Sequence, residues 1–186
     1  MSSHEDLRVI ALAEFARAGY AGTSLQTIAE IAGLSKSSVL YHFASKEALL
    51  EATIGPAIDR AASILGSIEG ALESTEDRKA FVIAFSDFLL AHRLEVHLFI
   101  NQGSSLVDVP VIERANAVIG HLAEYFSTTT NTLEDNMRFG IALGGAAYML
   151  ATRDIFADKS VDETRDALIT ILTELLSPVP VRSITL

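Results

Sequence analysis

The sequence contains no cysteine, and this absence excludes several kinds of site. A chain without thiols has no disulfide framework, no thiolate nucleophile and no thiolate zinc site. A long apolar run is missing as well, because the longest stretch without a charged residue is Phe139–Thr152. This stretch is shorter than the roughly 20 residues that a membrane-spanning helix needs. We therefore interpret it as a buried helix and expect no membrane partner.

The signatures of common catalytic and cofactor sites are also absent. The sequence has no glycine-rich phosphate loop, no HExxH pair and no GxSxG turn. His92 and His97 are five residues apart, whereas a spacing of four would stack two imidazoles on one helix face. We therefore expect no enzyme, no metal site and no cofactor.

Basic residues are scarce, with 14 Lys and Arg against 24 Asp and Glu and a net charge of −10. This balance argues at first against nucleic-acid binding, which rests largely on neutralised phosphates. The excess of acidic residues is distributed unevenly along the chain, however. Residues 1–50 hold four basic side chains against five acidic ones, a net charge of −1, and the remaining −9 lies in residues 51–186. A near-neutral head on an acidic body predicts weak binding to random DNA and dependence on specific contacts.

Apolar residues are abundant for a soluble chain, at 49% of the sequence with a mean hydropathy of +0.34. This content suggests more buried surface than the interior of a monomer needs, so we expect a partner subunit. At the N-terminus, Glu5, Asp6 and Arg8 precede only a short apolar run. That order differs from the basic-then-apolar layout of a secretory signal, so we expect a cytoplasmic protein.

The spacing of apolar residues predicts an all-α fold. Apolar residues recur at intervals of three and four over residues 5–18, which is typical of an amphipathic helix. Gly19 and Gly33 are expected to end the first two helices. Serines 24, 35 and 45 can cap the second, third and fourth helices, so four helices fit into about 50 residues.

The rest of the chain also predicts helices and no convincing strand. Pro56 removes a backbone donor, so the fourth helix should kink or briefly break at Gly55-Pro56. The stretch Arg93–Ser105 is expected to be less regular. Later helices are predicted from Thr75, from Pro110 to about Phe126, from Thr132 to about Ile155 and from Ser160 to Leu176.

The strongest signal is a pair of short helices joined by residues 32–35, Ala-Gly-Leu-Ser. A turn of three or four residues that contains glycine is typical of a helix-turn-helix, which exposes its second helix. Apolar side chains would form a small core that fixes the angle between the helices: Ile28, Ala29, Leu34 and Val39. The outward residue types suit a DNA major groove. They are Lys36, Ser37, Ser38, Tyr41 and His42.

The segment GYAGTSLQTIAEIAGLSKSSVLYHFASKEALL resembles the N-terminal domain of the TetR family of bacterial repressors, and the resemblance spans Leu7–Leu50. It implies DNA contacts from Ser24, Gln26, Lys36, Ser37, Ser38, Tyr41 and His42, with Lys46 as a phosphate contact at the start of the fourth helix. One position departs from the family pattern. Many members carry a tyrosine that contacts phosphate where this chain has Leu40, and here the tyrosine comes one residue later.

The resemblance also implies a domain plan. Residues 1–48 would form a three-helix helix-turn-helix DNA-binding domain, joined through a linking helix to residues 49–186, a larger helical domain for ligand binding and dimerisation. The chain would bind a double-stranded DNA operator, an inverted repeat, as a homodimer. Small residues over 140–147, together with an apolar stripe on the last helix, favour a subunit interface, and the alternative is tight packing within one subunit. The stripe consists of Leu168, Ile171, Leu172 and Leu175.

A small-molecule effector is expected in the C-terminal domain. Polar residues are interleaved there with apolar helix faces, as in a pocket with a few orienting groups. The candidate lining is Phe85, Phe88, His92, Asn101, Gln102, His121 and Tyr125. Because this lining is aromatic, amide and imidazole, we expect a mostly apolar ligand.

Two other classes of function stay open from the sequence. A helix-turn-helix can serve as a structural corner or a protein-binding surface. A helical protein-binding adaptor would not change the mobility of DNA in a gel-shift experiment. An enzyme with an unrecognised site in the C-terminal domain would turn over a substrate without binding a specific DNA sequence.

Overall fold

The computed structural model describes residues 4–68, 74–103, 106, 108–130, 132–152 and 158–176. Within these ranges the regular structure is entirely helical, which confirms the predicted all-α fold class. The helices are α1 (His4–Ala18), α2 (Leu25–Ile31), α3 (Lys36–His42), α4 (Lys46–Ile68), α5 (Thr75–Ala91), α6 (Arg93–Gln102), α7 (Pro110–Thr129), α8 (Leu133–Thr152) and α9 (Val161–Leu176).

Serine caps begin the helices where the sequence predicts them. The Ser24 and Ser35 hydroxyls accept the backbone N–H of Thr27 at 3.0 Å and of Ser38 at 3.1 Å. The Ser45 hydroxyl accepts the N–H of Ala48 at 3.1 Å. A reciprocal capping box opens α9, because Ser160 and Glu163 each bind the other's backbone N–H. The predicted starts of α2, α3, α4 and α9 are therefore confirmed.

The sequence-based expectation of a less regular stretch from Arg93 is wrong. Residues 93–102 form helix α6, which follows directly on α5 after the cap residue His92. Leu98 of α6 is fully buried and Phe99 packs against the same core. Tertiary packing therefore selects the helix where the local pattern alone was weak.

Helix α4 is continuous through Gly55-Pro56, so the expected brief break is wrong. Pro56 has no N–H for the Ala52 carbonyl, and a proline inside a helix costs about 3 kcal/mol. Buried side chains on both sides of the proline offset this cost. They are Leu49, Leu50, Ile54 and Ala57.

The chain divides into two compact units, and each consists of two chain segments. One unit, called the head below, comprises Met1–Ile58 and Leu94–Ala115. The other, called the body, comprises Asp59–Arg93 and Asn116–Leu186. The predicted functional boundary after residue 48 is a separate question and stays a prediction.

The core of the head combines residues from distant parts of the sequence. Leu7, Ala11 and Phe15 of α1 are fully buried together with Ile28 and Val39. The later segment adds four buried apolar residues to the same cluster, and they are Leu98, Leu106, Val111 and Ile112. Helix α6 and the start of α7 therefore complete the core that supports α1 to α4.

In the body, α5 packs against α8 and α9. Phe81 and Leu89 of α5 and Leu172 of α9 are buried. Outside this core, Arg165 of α9 donates two hydrogen bonds to the Asp87 carboxylate of α5, at 2.5 and 3.1 Å. These bonds lower the pKa of Asp87, so the carboxylate stays ionised at neutral pH.

The burial of α6 in the head generates a stability prediction. Leu98→Ala should lower the free energy of unfolding by about 2–5 kcal/mol, because it removes a fully buried side chain and leaves a cavity. Leu94→Ala is the matched control, because Leu94 lies one turn earlier on α6 and is 46% exposed. Urea unfolding followed by circular dichroism measures both variants. Equal losses in the two would contradict the burial of Leu98 in the core of the head.

Candidate nucleic-acid interface

Helices α2 and α3 are joined by a tight turn at Gly33. The Gly33 N–H binds the Glu30 carbonyl at 3.1 Å, and the Leu34 N–H binds the Ala29 carbonyl at 2.8 Å. Gly33 has a φ of +66°, a left-handed conformation that residues with a Cβ rarely adopt. A Cβ at this position would meet no atom within 4 Å. The glycine is therefore required by the backbone conformation and not by lack of space.

The inner faces of α2 and α3 are buried, and the outer face of α3 is open. Ile28, Ala29 and Val39 are fully buried and fix the two helices against each other. The five predicted contacts on α3 lie toward the other side. Lys36, Ser37, Tyr41 and His42 are exposed, and Ser38 is half-buried. The structure thus brings all five onto one short helix whose outer face is accessible.

The serines at the start of α3 form a small hydroxyl cluster. The Ser35 Oγ lies 2.8 Å from the Oγ of Ser37 and 2.8 Å from the Oγ of Ser38. In this arrangement Ser37 and Ser38 turn back toward the helix cap. A contact from either serine to a base edge would therefore exchange a hydrogen bond within the cluster for one to DNA.

The C-terminal end of α3 carries exposed aromatic and apolar side chains. Tyr41 is 88% exposed, and its ring centroid lies 5.5 Å from that of His42. The His42 ring also faces His4 of α1, which packs on Phe43 with 4.3 Å between ring centroids. Leu40 is 41% exposed on the same helix. Sequence reasoning left Leu40 out of the candidate contacts, although it occupies the position where many members of the resembling family carry a phosphate-contacting tyrosine.

Two further candidates lie on α2. Ser24 is the N-cap of the helix, with its Oγ 2.9 Å from the Thr27 hydroxyl. The Gln26 amide donates to the Glu30 carboxylate at 2.8 Å, one turn along the exposed face. Gln26 therefore keeps the Glu30 carboxylate on the exposed face of α2, the face that would approach DNA.

Lys46, the candidate phosphate contact, is bound within the head. Its ammonium donates to the Tyr20 carbonyl at 2.7 Å and to the Thr23 carbonyl at 2.8 Å. The same Nζ lies 4.1 Å from the centroid of the Tyr20 ring, a cation–π geometry. Two of its three donors are used, so one N–H and the positive charge are left for an outside partner.

Tyr20 is buried beneath Lys46, and its hydroxyl donates to the Glu47 carboxylate at 3.2 Å. Desolvation, followed by the charge of Glu47 and this hydrogen bond, raises the pKa of Tyr20 to about 12. Hydrogen bonds from its own backbone and from Ser45 lower the pKa of Glu47. The pair is therefore a neutral phenol and an ionised carboxylate at neutral pH.

Two arginines of α1 are engaged with acidic neighbours. Arg17 donates to Glu14 at 2.6 and 3.0 Å, and these bonds lower the pKa of that carboxylate. Arg8 pairs with Glu5 at 2.7 Å. Both pairs are local, one turn apart on the same helix. They leave little net positive charge around the helix-turn-helix, in agreement with the composition of residues 1–50.

The predicted ligand-binding residues fall into both units. In the body, Phe85, Phe88 and His92 form a row on α5, with 6.5 Å and 5.2 Å between successive ring centroids. Phe81 continues this row toward Phe126 of α7, which stacks on Phe139 with 3.8 Å between ring centroids. The row therefore joins a larger aromatic cluster in the body.

The other four candidates differ in their surroundings. Tyr125 is buried beside Phe126, and His121, one turn earlier on α7, is exposed. Asn101 and Gln102 belong to the head. The Asn101 amide donates to the His97 carbonyl at 2.9 Å, whereas the Gln102 amide bonds to the backbone near Gly19. The structure thus gathers Phe85, Phe88 and His92 but places the two amides in the other unit.

Two negative findings apply to the described residues. No group of three or more His, Asp or Glu side chains there could hold a metal ion. None of the helices in that part of the chain is long and apolar enough to cross a membrane.

Solved structures with a similar fold are helical regulators. The ketosteroid transcriptional regulator KstR2 of Mycobacterium tuberculosis is 16% identical, with a TM-score of 0.75 over 97% of this chain and 96% of that one. The fatty acid degradation regulator FadR from Bacillus halodurans is 15% identical, with a TM-score of 0.61 over 93% of each chain. At these identities the likeness shows the fold.

Sequence similarity is concentrated in the helix-turn-helix. The HTH-type transcriptional regulator RutR of Escherichia coli (strain K12) is 49% identical over 49 residues, which cover 26% of this chain and only 23% of RutR. The model of the bacterial regulatory proteins, tetR family, matches residues 9–53. These residues contain most of α1, all of α2 and α3 and the start of α4, with all eight candidate DNA contacts. Residues 9–53 of the chain are therefore similar to the helix-turn-helix domain of the TetR family.

Proposed function

We propose that the chain is a transcriptional regulator, a repressor, that binds an inverted-repeat DNA operator as a homodimer and responds to a small-molecule effector. The observation that carries this proposal is the open face of α3 on a helix-turn-helix similar to that of the TetR family. The protein would act in the cytoplasm, without catalysis of its own. Selection of bound sequences from random duplexes tests the proposal, and recovery of no preferred sequence would contradict it.

The side chains of α3 divide into two kinds of DNA contact. Lys36 lies in the first turn of α3, where a cation suits guanine or phosphate. Tyr41 is the most exposed large hydrophobic side chain of the helix, and together with Leu40 it offers apolar surface for thymine methyl groups. Base preference would therefore come chiefly from α3, and Ser24 and Gln26 of α2 would fix the position on the duplex.

An exposed apolar surface on the body supports the proposed homodimer. Leu133, Met137, Ile141 and Tyr148 lie on α8 with exposures of 54–75%, and Ile171 of α9 is 54% exposed. Gly140 and Gly144 lie on the same outer side of α8. A Cβ at either glycine would meet no atom within 4 Å, so packing within the protomer does not require glycine there. Close approach of a second copy would explain these glycines.

The effector would be mostly apolar with a few polar groups. The aromatic row of Phe85, Phe88 and His92 supports this class, with Tyr125 and His121 as further candidates on α7. The names of two regulators with a similar fold refer to a ketosteroid and to fatty acid degradation, and both classes of compound are largely apolar. Asn101 and Gln102 were predicted in the same lining, and a direct role for either in binding a ligand stays a prediction.

Changes on α3 should alter base preference. Tyr41→Ala removes an 88% exposed ring and Ser38→Ala removes a hydroxyl, so both should change the selected bases at one or two positions of each half-site. Each loss should be about 1–3 kcal/mol at the affected base pair. Val9→Ala is the control, because Val9 is exposed on α1 of the same unit. Unchanged selected sequences for both α3 variants would remove α3 as the reading helix.

Loss of Lys46 should weaken binding to all sequences alike. Lys46→Met removes one positive charge and one free donor at the start of α4. The slope of log affinity against log salt should fall by about one unit. Lys79→Met on α5 removes the same charge from the body and is the matched control. If Lys46→Met kept both the affinity and the salt slope of the natural chain, its phosphate contact would be ruled out.

A charge on the exposed face of α8 should dissociate the dimer. Gly144→Glu places a carboxylate where we propose that two copies meet, and burying such a charge without a partner is unfavourable. Gly66→Glu on α4 is the control, because a Cβ at Gly66 also meets no atom within 4 Å. Sedimentation equilibrium should give a monomer mass for Gly144→Glu and a dimer mass for the control. A dimer mass for both variants would move the interface elsewhere.

A further inference from the structure

Gln102 is the last residue of α6, yet both ends of its amide bind the backbone between α1 and α2. Its Oε1 accepts the Tyr20 N–H at 2.6 Å, and its Nε2 donates to the Phe15 carbonyl at 3.0 Å. Gly19 lies between these two groups with a φ of +81°. A Cβ at Gly19 would be 3.5 Å from the Gln102 Oε1. The glutamine therefore fits closely over the turn that ends α1.

The two hydrogen bonds of the Gln102 amide contribute differently to the turn that ends α1. The Phe15 carbonyl also accepts the Gly19 N–H at 3.1 Å, so the end of α1 keeps a hydrogen bond without Gln102. The N–H of Tyr20, a buried residue, is directed at the Gln102 oxygen. Removing the glutamine amide would leave this donor without that acceptor, and an unsatisfied buried donor is costly. Loss of the Gln102 amide should therefore affect the backbone of Tyr20 more than the end of α1.

Tyr20 also connects the turn to the start of α4. Its carbonyl accepts the Lys46 ammonium, its ring lies under the same ammonium, and its hydroxyl binds Glu47. The backbone of this one residue is thus held on its N–H side by α6 and on its carbonyl side by α4. A change in the Tyr20 backbone would move the carbonyl on which Lys46 depends.

We propose that Gln102 is a positioning residue for DNA binding. Its amide fixes Tyr20, and the fixed Tyr20 carbonyl sets the place of Lys46 at the end of the helix-turn-helix. This inference rests on the proposed function, because it concerns the affinity for an operator. It assigns Gln102 a role that needs no effector and no contact with DNA, since the bonds to Tyr20 and Phe15 lie within the head.

The first test compares two amide-to-apolar substitutions of nearly equal size. Gln102→Met keeps the length of the side chain and removes both hydrogen bonds, and Asn116→Leu removes an exposed amide from α7. Without effector, Gln102→Met should bind the operator selected by the natural chain about tenfold more weakly, the cost of an ordinary hydrogen bond. The control should bind as tightly as the natural chain. Equal affinity for Gln102→Met would overturn the proposal.

The character of the loss separates positioning from contact. The selected sequence should be the same for Gln102→Met and the natural chain, because no base contact is removed, and the salt slope should fall by no more than the one unit that Lys46 contributes. An altered sequence or a larger fall in the salt slope would overturn the positioning role. A loss of operator affinity that appears only when an effector is present would overturn it too, in favour of ligand binding.

A double-mutant cycle tests whether Gln102 acts through Lys46. In the Lys46→Met background, Gln102→Met should weaken operator binding by less than about twofold, because the group that it positions is absent. Additive losses would indicate general destabilisation of the head and would overturn the connection through Tyr20. Thermal unfolding of the single and double variants, followed by circular dichroism, measures their folded fractions.

Hydrogen exchange of the Tyr20 amide provides a readout that is independent of DNA. In Gln102→Met this amide should exchange about tenfold faster, and in Asn116→Leu at the rate of the natural chain. An unchanged rate in Gln102→Met would overturn the interaction itself. If the natural chain selected no DNA sequence, the proposed function would fail, and this exchange rate would still decide whether Gln102 fixes Tyr20.

Discussion

The Lys46 ammonium closes the helix-turn-helix on itself. Its two carbonyl acceptors precede α2, and Lys46 follows α3, so its hydrogen bonds join the two ends of the segment that contains both helices. The buried core of Ile28, Ala29 and Val39 sets the angle inside this segment, and the Lys46 bonds set where the segment begins and ends. Orientation of α3 relative to α1 and α4 depends on both. Without its two carbonyl acceptors, the Lys46 ammonium would no longer join the two ends of the segment, and much of the constraint on the orientation of α3 would be lost.

The sequence has few basic residues, and the structure shows that several of those in the head are already bound to other groups. Arg8 and Arg17 pair with carboxylates on their own helix, and Lys46 binds two backbone carbonyls. Little cationic surface is then available to attract random DNA. Under the proposed function, such a surface would gain affinity mainly where the shapes and donors of α3 match the bases, which would favour discrimination over non-specific binding.

Local signals made much of the head predictable. Ser24, Ser35 and Ser45 act on N–H groups three residues away, so sequence spacing alone identifies them. Gln102 could not be interpreted in this way, because its partner Tyr20 is 82 positions away in the sequence. It was predicted to line a ligand pocket only because its surroundings were apolar. Helix α6 was missed for the same reason, since the packing of Leu98 in the core of the head has no trace in the local pattern.

The head is built from two separate chain segments, and this affects the order in which the protein can mature during synthesis. When residues 1–58 have left the ribosome, Leu98, Leu106, Val111 and Ile112 have not yet left it. The apolar surface of the head that they cover stays open to water until about 50 further residues have followed. The complete core of the head therefore forms late, although the helix-turn-helix is among the first parts made. A nascent chain at this stage is a natural substrate for chaperones that bind exposed apolar segments.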